Sequence, residues 1–243
     1  KTPWENASTP NMDWLAKKGI TGLMETLYPD LPKGSIVAQL GILGFDPYKY
    51  YPNGRASCEA LALGIKLSKK DIAFRANLAL EKNGILISYN ANYIETTNAR
   101  AIVNKINKTF KNKYPDFKLY NNSDFRNTLV VKNTEINPKD LLCIEPHENI
   151  GENLDSSSLI KSKNKNNIDA LNILNNYLND ISELIQSEKA NIIIPWSAST
   201  ALTLPKFECG YNSKSAIIGH MDFLKGIAVA SEMDFFLEGN GSW

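Results

Sequence analysis

Between Asp71 and Leu78 the chain alternates. Ile72, Phe74, Ala76 and Leu78 fall on one side, and Ala73, Arg75 and Asn77 on the other. Successive side chains of a strand point to opposite faces, so this stretch belongs in a sheet with one face in a core and the other able to present a cation, Arg75. The following residues extend that unit. Gly84 to Tyr89 continues the sheet, and Ala99, Ile102, Val103, Ile106 and Phe110 recur at helical spacing until Pro115 forbids more helix. Phe117 to Tyr120 and Thr128 to Lys132 read as further strands, which makes the region α+β with mixed strands.

The two ends of the chain have a different character. Thr9 and Pro10 cap a short helix with Met12, Leu15 and Ala16 on its apolar face, closing at Gly19. Ile20 to Tyr28 reads as a strand that leads to a tight turn at Gly34. Ser35 is then a good N-cap for a helix over Ile36 to Leu43, so its hydroxyl would sit among unpaired N–H groups, where an anion is welcome. A second helix, about Ser57 to Leu63, closes on Gly64 and is approached by the turn Tyr51-Pro52-Asn53-Gly54-Arg55. Asn149 to Asn167 lacks an apolar period and reads as a mobile loop. Ile168, Leu171, Leu174, Leu178, Ile181, Leu184 and Ile185 mark a long core-facing helix. Asn191 to Trp196 and Ser215 to Gly219 are short apolar runs of the kind buried on both faces, and Met221 to Glu232 is the helix after the second. The expectation is an α/β fold whose split core, about 1–45 and 189–243, is interrupted by an inserted α+β cap at about 46–188.

Composition narrows the partners. A formal net charge of +1 gives no reason to expect nucleic acid or an anionic membrane, so no partner of either kind is expected. No apolar run reaches the ~18 residues of a membrane span. Cys58, Cys143 and Cys209 are odd in number, far apart and without a CxxC pair, which points to packing roles and a reducing cytoplasm.

Few residues combine reactivity with a favourable place. Ser35 is a candidate nucleophile if a divalent metal helps to ionise it, or else merely the cap of its helix. Arg55 in a turn, Arg75 on the polar strand face and Arg126 at a strand start could together grip phosphate or carboxylate through paired hydrogen bonds, or could each be solvated. His147, in Glu145-Pro146-His147-Glu148, is either a loop residue or a substrate or proton contact. Lys214, just before an apolar run, reads by position as a solvated edge residue.

TPNMDWLAKKGITG, LGILGFDPYKYYPNGR, EALALGIKL, DIAFRANLA and, near the end, LPKFECGYNSKSAII and LKGIA resemble the archaeal-type cofactor-independent phosphoglycerate mutases of the alkaline phosphatase superfamily. The resemblance is dense from Lys1 to about Leu80 and returns over about Asn191 to Asp234. It implies a discontinuous alkaline-phosphatase-like core, incomplete in this chain, with an inserted substrate-binding cap. It also implies that Ser35 is phosphorylated during turnover and is a metal ligand, that Lys214 faces the phosphoryl group, and that Arg55, Arg75, Arg126 and His147 bind substrate. The implied cofactor is a divalent metal (Mn, Mg, Zn or Co), with most of its ligands outside this chain. The implied partner is a small phosphorylated substrate, in a chain that could assemble as a homo-oligomer. Where the family continues Asp-Thr-Ser-His after its serine, this chain has Ile36-Val37-Ala38-Gln39, and the family's arginine-rich motif after the Arg75 strand is replaced by Ser88-Tyr89-Asn90-Ala91-Asn92. Such changes leave open the same serine chemistry on another phosphoester or phosphonate, or a non-catalytic fragment that binds a phosphorylated ligand or partner.

Overall fold

The computed structural model describes residues 2–155, 159–187, 189–208 and 214–239. In chain order the helices are α1 (Pro3–Asn6), α2 (Pro10–Lys18), α3 (Ser35–Ile42), α4 (Pro47–Tyr50), α5 (Ala56–Ala62), α6 (Thr96–Phe110), α7 (Ile168–Leu184) and α8 (Asp222–Ala230). The strands are β1 (Ile72–Lys82), β2 (Ile85–Ser88), β3 (Phe117–Ser123), β4 (Arg126–Val131), β5 (Leu141–Cys143), β6 (Ile160–Ser162), β7 (Ile192–Ser199), β8 (Ala216–Gly219) and β9 (Asp234–Leu237). No described helix is long and apolar enough to cross a membrane.

The alternating stretch becomes β1, the axis of a five-stranded antiparallel sheet. It pairs with β4 from Ile72↔Val131 to Asn77↔Arg126 and with β7 from Ala73↔Ser199 to Ala79↔Ile192. Strand β2 takes its last residues and β3 lies beyond β4. The face carrying Ile72, Phe74, Ala76 and Leu78 is sealed by α6 through Ala99, Val103 and Ile106, and by α7 through Leu171, Leu174, Leu178 and Ile181. Each fully buried aliphatic side chain there contributes roughly 1.5–3 kcal/mol. On the opposite face, Ala73 packs against Ala56 and Ala60 of α5, and Arg75 meets Glu59 of that helix. A second cluster joins Ile36, Val37 and Leu40 of α3 to Leu202, Leu204 and to Phe223 and Ile227 of α8, with Cys58 of α5 among them.

Four expectations are corrected. Asn191 to Trp196 does form a buried strand, but β7 pairs antiparallel with β1 and so joins the sheet of the region expected to end at 188. Strand β8 is not buried on both faces. Among the described residues it pairs, in parallel, only with β9, which follows α8 in a βαβ unit, and Ile218 is exposed. Ile20 to Tyr28 is not a strand: no described strand runs beside it to complete a hydrogen-bond ladder, and Ile20 and Leu23 are fully exposed. Within Asn149 to Asn167, β6 pairs with β5 because Ile160 is buried and the Asn175 side chain holds its N–H and carbonyl at 3.3 and 3.1 Å.

Candidate functional site

Gly34, extended at φ −145° and ψ 155°, is the N-cap of α3, and Ser35 is its first helical residue, one place later than expected. The hydroxyl is exposed at an end whose first N–H groups lack intrahelical partners. Beside it opens a cavity of about 480 Å³ whose wall includes Ser35, Arg55, Arg75, Arg126 and His147. Five of the six candidate residues therefore meet at one hollow. Lys214 does not: it is exposed, two residues before β8, and forms no part of this wall.

Arg55 is the N-cap of α5, and its turn is fixed to the far end of β7. The Arg55 N–H donates to Ser197 Oγ at 3.2 Å, the Ser57 N–H to Ser199 Oγ at 2.6 Å, and the Thr200 N–H to the Pro52 carbonyl at 3.0 Å. Gly54 lies so close that a Cβ there would stand 2.3 Å from the Ala198 carbonyl oxygen. Ser197 itself sits in the left-handed region at φ 50°, a conformation costing a serine about 1–2 kcal/mol that these contacts must offset.

Arg75 projects from the polar face of β1 with its guanidinium 3.9 Å from the ring centre of Trp196, its cross-strand partner. The indole N–H donates to Asn77 Oδ1 at 2.9 Å, and Asn77 Nδ2 donates to the Tyr89 carbonyl at 3.0 Å. Register alone therefore orders cation, ring and amide into one wall. Burial pushes Arg75 down to about 10; Glu59 opposes that shift, and the neighbouring Arg55 and Arg126 add to it. It remains charged at neutral pH. Arg126, first residue of β4, is half exposed, lies over the Phe125 ring at 4.3 Å and is 3.6 Å from Asp124. His147 stands in a short 3₁₀ turn, 3.6 Å from Glu145 and 5.4 Å from the Trp196 ring.

Sequence reasoning missed two important residues. Glu59, only 6% exposed, ties Arg55 to Arg75, and its position four residues after Arg55 on a helix was the available signal. Trp196 had none, because only the β1–β7 register places it over Arg75. His220 lines a neighbouring hollow of about 300 Å³ that shares Arg55 and Arg126 with the first.

A divalent metal at Ser35 would need several oxygen or nitrogen ligands. The adjoining wall is Pro32, Lys33, Gly34 and Ile36, so these residues do not by themselves form such a site. Among the described residues, Glu145, His147 and Glu148 do bring one ligand atom each within 4.8 Å of the others, all three exposed. Cys58 and Cys143 are free thiols, both pushed up by burial, while Cys209 lies outside the described residues.

Residues 16–191 match the family model described as 2,3-bisphosphoglycerate-independent phosphoglycerate mutase. A mutase of that name from Methanothrix thermoacetophila is 31% identical over 243 residues, covering 95% of this chain and 58% of that protein. One from Thermococcus kodakarensis is 45% identical over 111 residues, 46% of this chain and 27% of that protein. Among solved structures, the cofactor-independent phosphoglycerate mutase of Thermoplasma acidophilum superposes with a TM-score of 0.58 at 25% identity, covering 97% of this chain and 64% of that one. The PH0037 protein of Pyrococcus horikoshii gives 0.67 at 26%, with 97% and 56% covered. The chain thus spans little more than half the length of the long-range matches among its relatives.

Proposed function

Because the chain belongs to the 2,3-bisphosphoglycerate-independent phosphoglycerate mutase family, we propose that its residues take part in interconverting 3- and 2-phosphoglycerate through a phosphoserine at Ser35. The observation that carries this reading is the single cavity shared by the Ser35 hydroxyl, three arginines and His147. In the first half-reaction Ser35 Oγ attacks phosphorus, the bond from phosphorus to the C3 oxygen breaks, and glycerate remains bound. In the second, the C2 hydroxyl attacks the phosphoserine and the serine is released. Both halves need the intermediate held rather than lost to water, and that is the work of the arginine wall. Each charged hydrogen bond to carboxylate or phosphate is worth roughly 1.5–3 kcal/mol. The α3 N-terminus adds about 0.3–1 kcal/mol to negative charge on the serine side. The family resemblance implies divalent metal at the serine; the residues described do not by themselves complete such a site.

The division of labour between lobes is part of the proposal. Helix α3 with β8, α8 and β9 forms the phosphoserine lobe, and the antiparallel sheet forms the substrate lobe, with β7 assigned to the latter because it pairs with β1. The free thiols of Cys58 and Cys143 support a reducing, cytoplasmic setting.

The test is an assay of full-length protein with 3-phosphoglycerate and no added bisphosphoglycerate. We expect 2-phosphoglycerate to form, acid-quenched protein to carry phosphate on Ser35, and Ser35→Ala to abolish both. Turnover that survives Ser35→Ala removes the serine from the mechanism.

A further inference from the structure

The candidate clamp contains a carboxylate that phosphate recognition does not call for. Glu59 Oε1 accepts from Arg55 Nε at 3.2 Å and from Arg55 Nη2 at 3.1 Å, and Glu59 Oε2 accepts from Arg75 Nε at 3.2 Å. Its side chain is 8% exposed, Arg75's is 12% and Arg55's 19%. A guanidinium offers phosphate two edges: the side edge of Nε and one Nη, and the end edge of both Nη groups. Glu59 takes the side edge of Arg55 and the Nε of Arg75. Only one Nη of Arg55 and the two Nη groups of Arg75 keep no protein partner among the described residues, and both arginines line the cavity.

We propose that Glu59 is the positioning residue of this site: it fixes which edges of Arg55 and Arg75 a phosphorylated ligand can use, and it lowers the charge of the clamp so that the ligand is held in one orientation and can leave. The second half follows from counting charges. Arg55 and Arg75 with Glu59 leave one net positive charge; Arg126, 3.6 Å from Asp124, is a cation already opposed by a carboxylate, and on the wall Lys33 and Glu145 cancel. Without the carboxylate the clamp carries one charge more and both guanidiniums are free to turn. An anion would then bind more tightly and less productively.

This inference rests on the phosphoglycerate reading only for its kinetic arm. In the first arm, inorganic phosphate is titrated calorimetrically into the chain and into Glu59→Gln, with thermal melts to show that both fold. The expected result is a Kd for phosphate lower by on the order of tenfold in the variant, because a negative charge within a few ångströms of the ligand is gone. A merely structural glutamate gives the opposite sign, since a disordered clamp binds phosphate more weakly, and an unchanged Kd likewise overturns the proposal. In the second arm, full-length Glu59→Gln turns over 3-phosphoglycerate with kcat lower by on the order of tenfold to a hundredfold and KM equal or lower, the mark of lost positioning rather than lost binding. Parallel worsening of both parameters refutes positioning. If the unmodified protein shows no mutase turnover, the phosphoglycerate reading falls while the phosphate titration still decides the role of Glu59. Should Glu59→Gln not fold, Glu59→Asp decides: charge is kept and reach is shortened, so the phosphate Kd should stay within about twofold while kcat falls. Wild-type kinetics in that variant end the proposal.

Discussion

The turn that carries Arg55 is fixed by one close contact, and Gly54→Ala tests how much of the site depends on it. A Cβ on Gly54 would lie 2.3 Å from the Ala198 oxygen, 2.5 Å from the Ser197 oxygen and 2.8 Å from the Ser197 carbonyl carbon. All three are backbone atoms, so no side chain can swing aside and the turn must retreat from β7 by roughly 1 Å. Overpacking of this kind costs about 1–3 kcal/mol. The retreat also stretches the three hydrogen bonds that join the turn to Ser197, Ser199 and Thr200, each worth about 0.5–1.5 kcal/mol. Because the same displacement relieves the clash and lengthens the bonds, the two costs overlap, and the expected loss is about 2–5 kcal/mol. Urea unfolding should show a lower midpoint with an unchanged slope, and calorimetry should show weakened phosphate binding because Arg55 moves away from Arg75. Gly84→Ala is the control. Gly84 sits at φ +79° with nothing within 4 Å of where a Cβ would stand, so only its left-handed backbone is strained, at about 1–2 kcal/mol, and phosphate binding should not change. A Gly54→Ala protein as stable as its parent and binding phosphate equally well would refute the claim that this contact sets the position of Arg55.

Arg75→Lys keeps the charge but loses the planar fork and its stacking on Trp196; phosphate affinity should fall by the roughly 1.5–3 kcal/mol of a charged hydrogen bond, and undiminished binding would mean a point charge suffices there. Asp71 gives a prediction in pH. Burial alone would raise its carboxyl, but hydrogen bonds from the Ser68 and Asn133 N–H groups, with Lys132 nearby, hold it below the usual range. A depressed carboxyl stabilises the fold above its unfolded pKa, about 3.9, and loses that contribution as pH falls through the folded value. Asp71→Asn should therefore cost stability in urea at pH 7 and much less near pH 2, and an equal deficit at both would show that the charge is not what Asp71 contributes.

The strand face that presents Arg75 was legible because period-two alternation admits one structure, and β1 carries the residues on the faces expected. Helices α2, α3, α5, α6 and α7 were legible from caps and spacing to within a few residues. The partner of β7 was not. An apolar run such as Ile192-Ile193-Ile194-Pro195-Trp196 reads alike for a parallel core strand and for an antiparallel edge strand covered on both faces, and only pairing with β1 distinguishes them. The same register brings Trp196 to Arg75, so the aromatic floor of the cavity was as hidden as the pairing. Arg55, Arg75 and Arg126 were expected to act together, but their meeting with Ser35 and His147 at one cavity depends on long-range contacts that spacing does not encode. Ile20 to Tyr28 shows the converse: apolar composition invites a strand, yet a strand exists only beside another.

What holds the cavity in shape is a helix made of small residues. Helix α5 reads Ala56-Ser57-Cys58-Glu59-Ala60-Leu61-Ala62, and three of its sides are in use. Ala56 and Ala60 lie on Ala73 of β1. The Cys58 backbone approaches α8 so closely that a Cβ on Gly226 would stand 2.0 Å from its carbonyl oxygen. The third side carries Glu59 toward Arg75, with Arg55 at the helix start. A larger residue at 56 or 60 would lift α5 from the sheet, and one at 226 would push it from α8; either movement changes the separation of Arg55 from Arg75. The alanines and the glycine therefore set a distance between two cations, which is why a stretch without a charged or reactive side chain at these positions still belongs to the chemistry of the site.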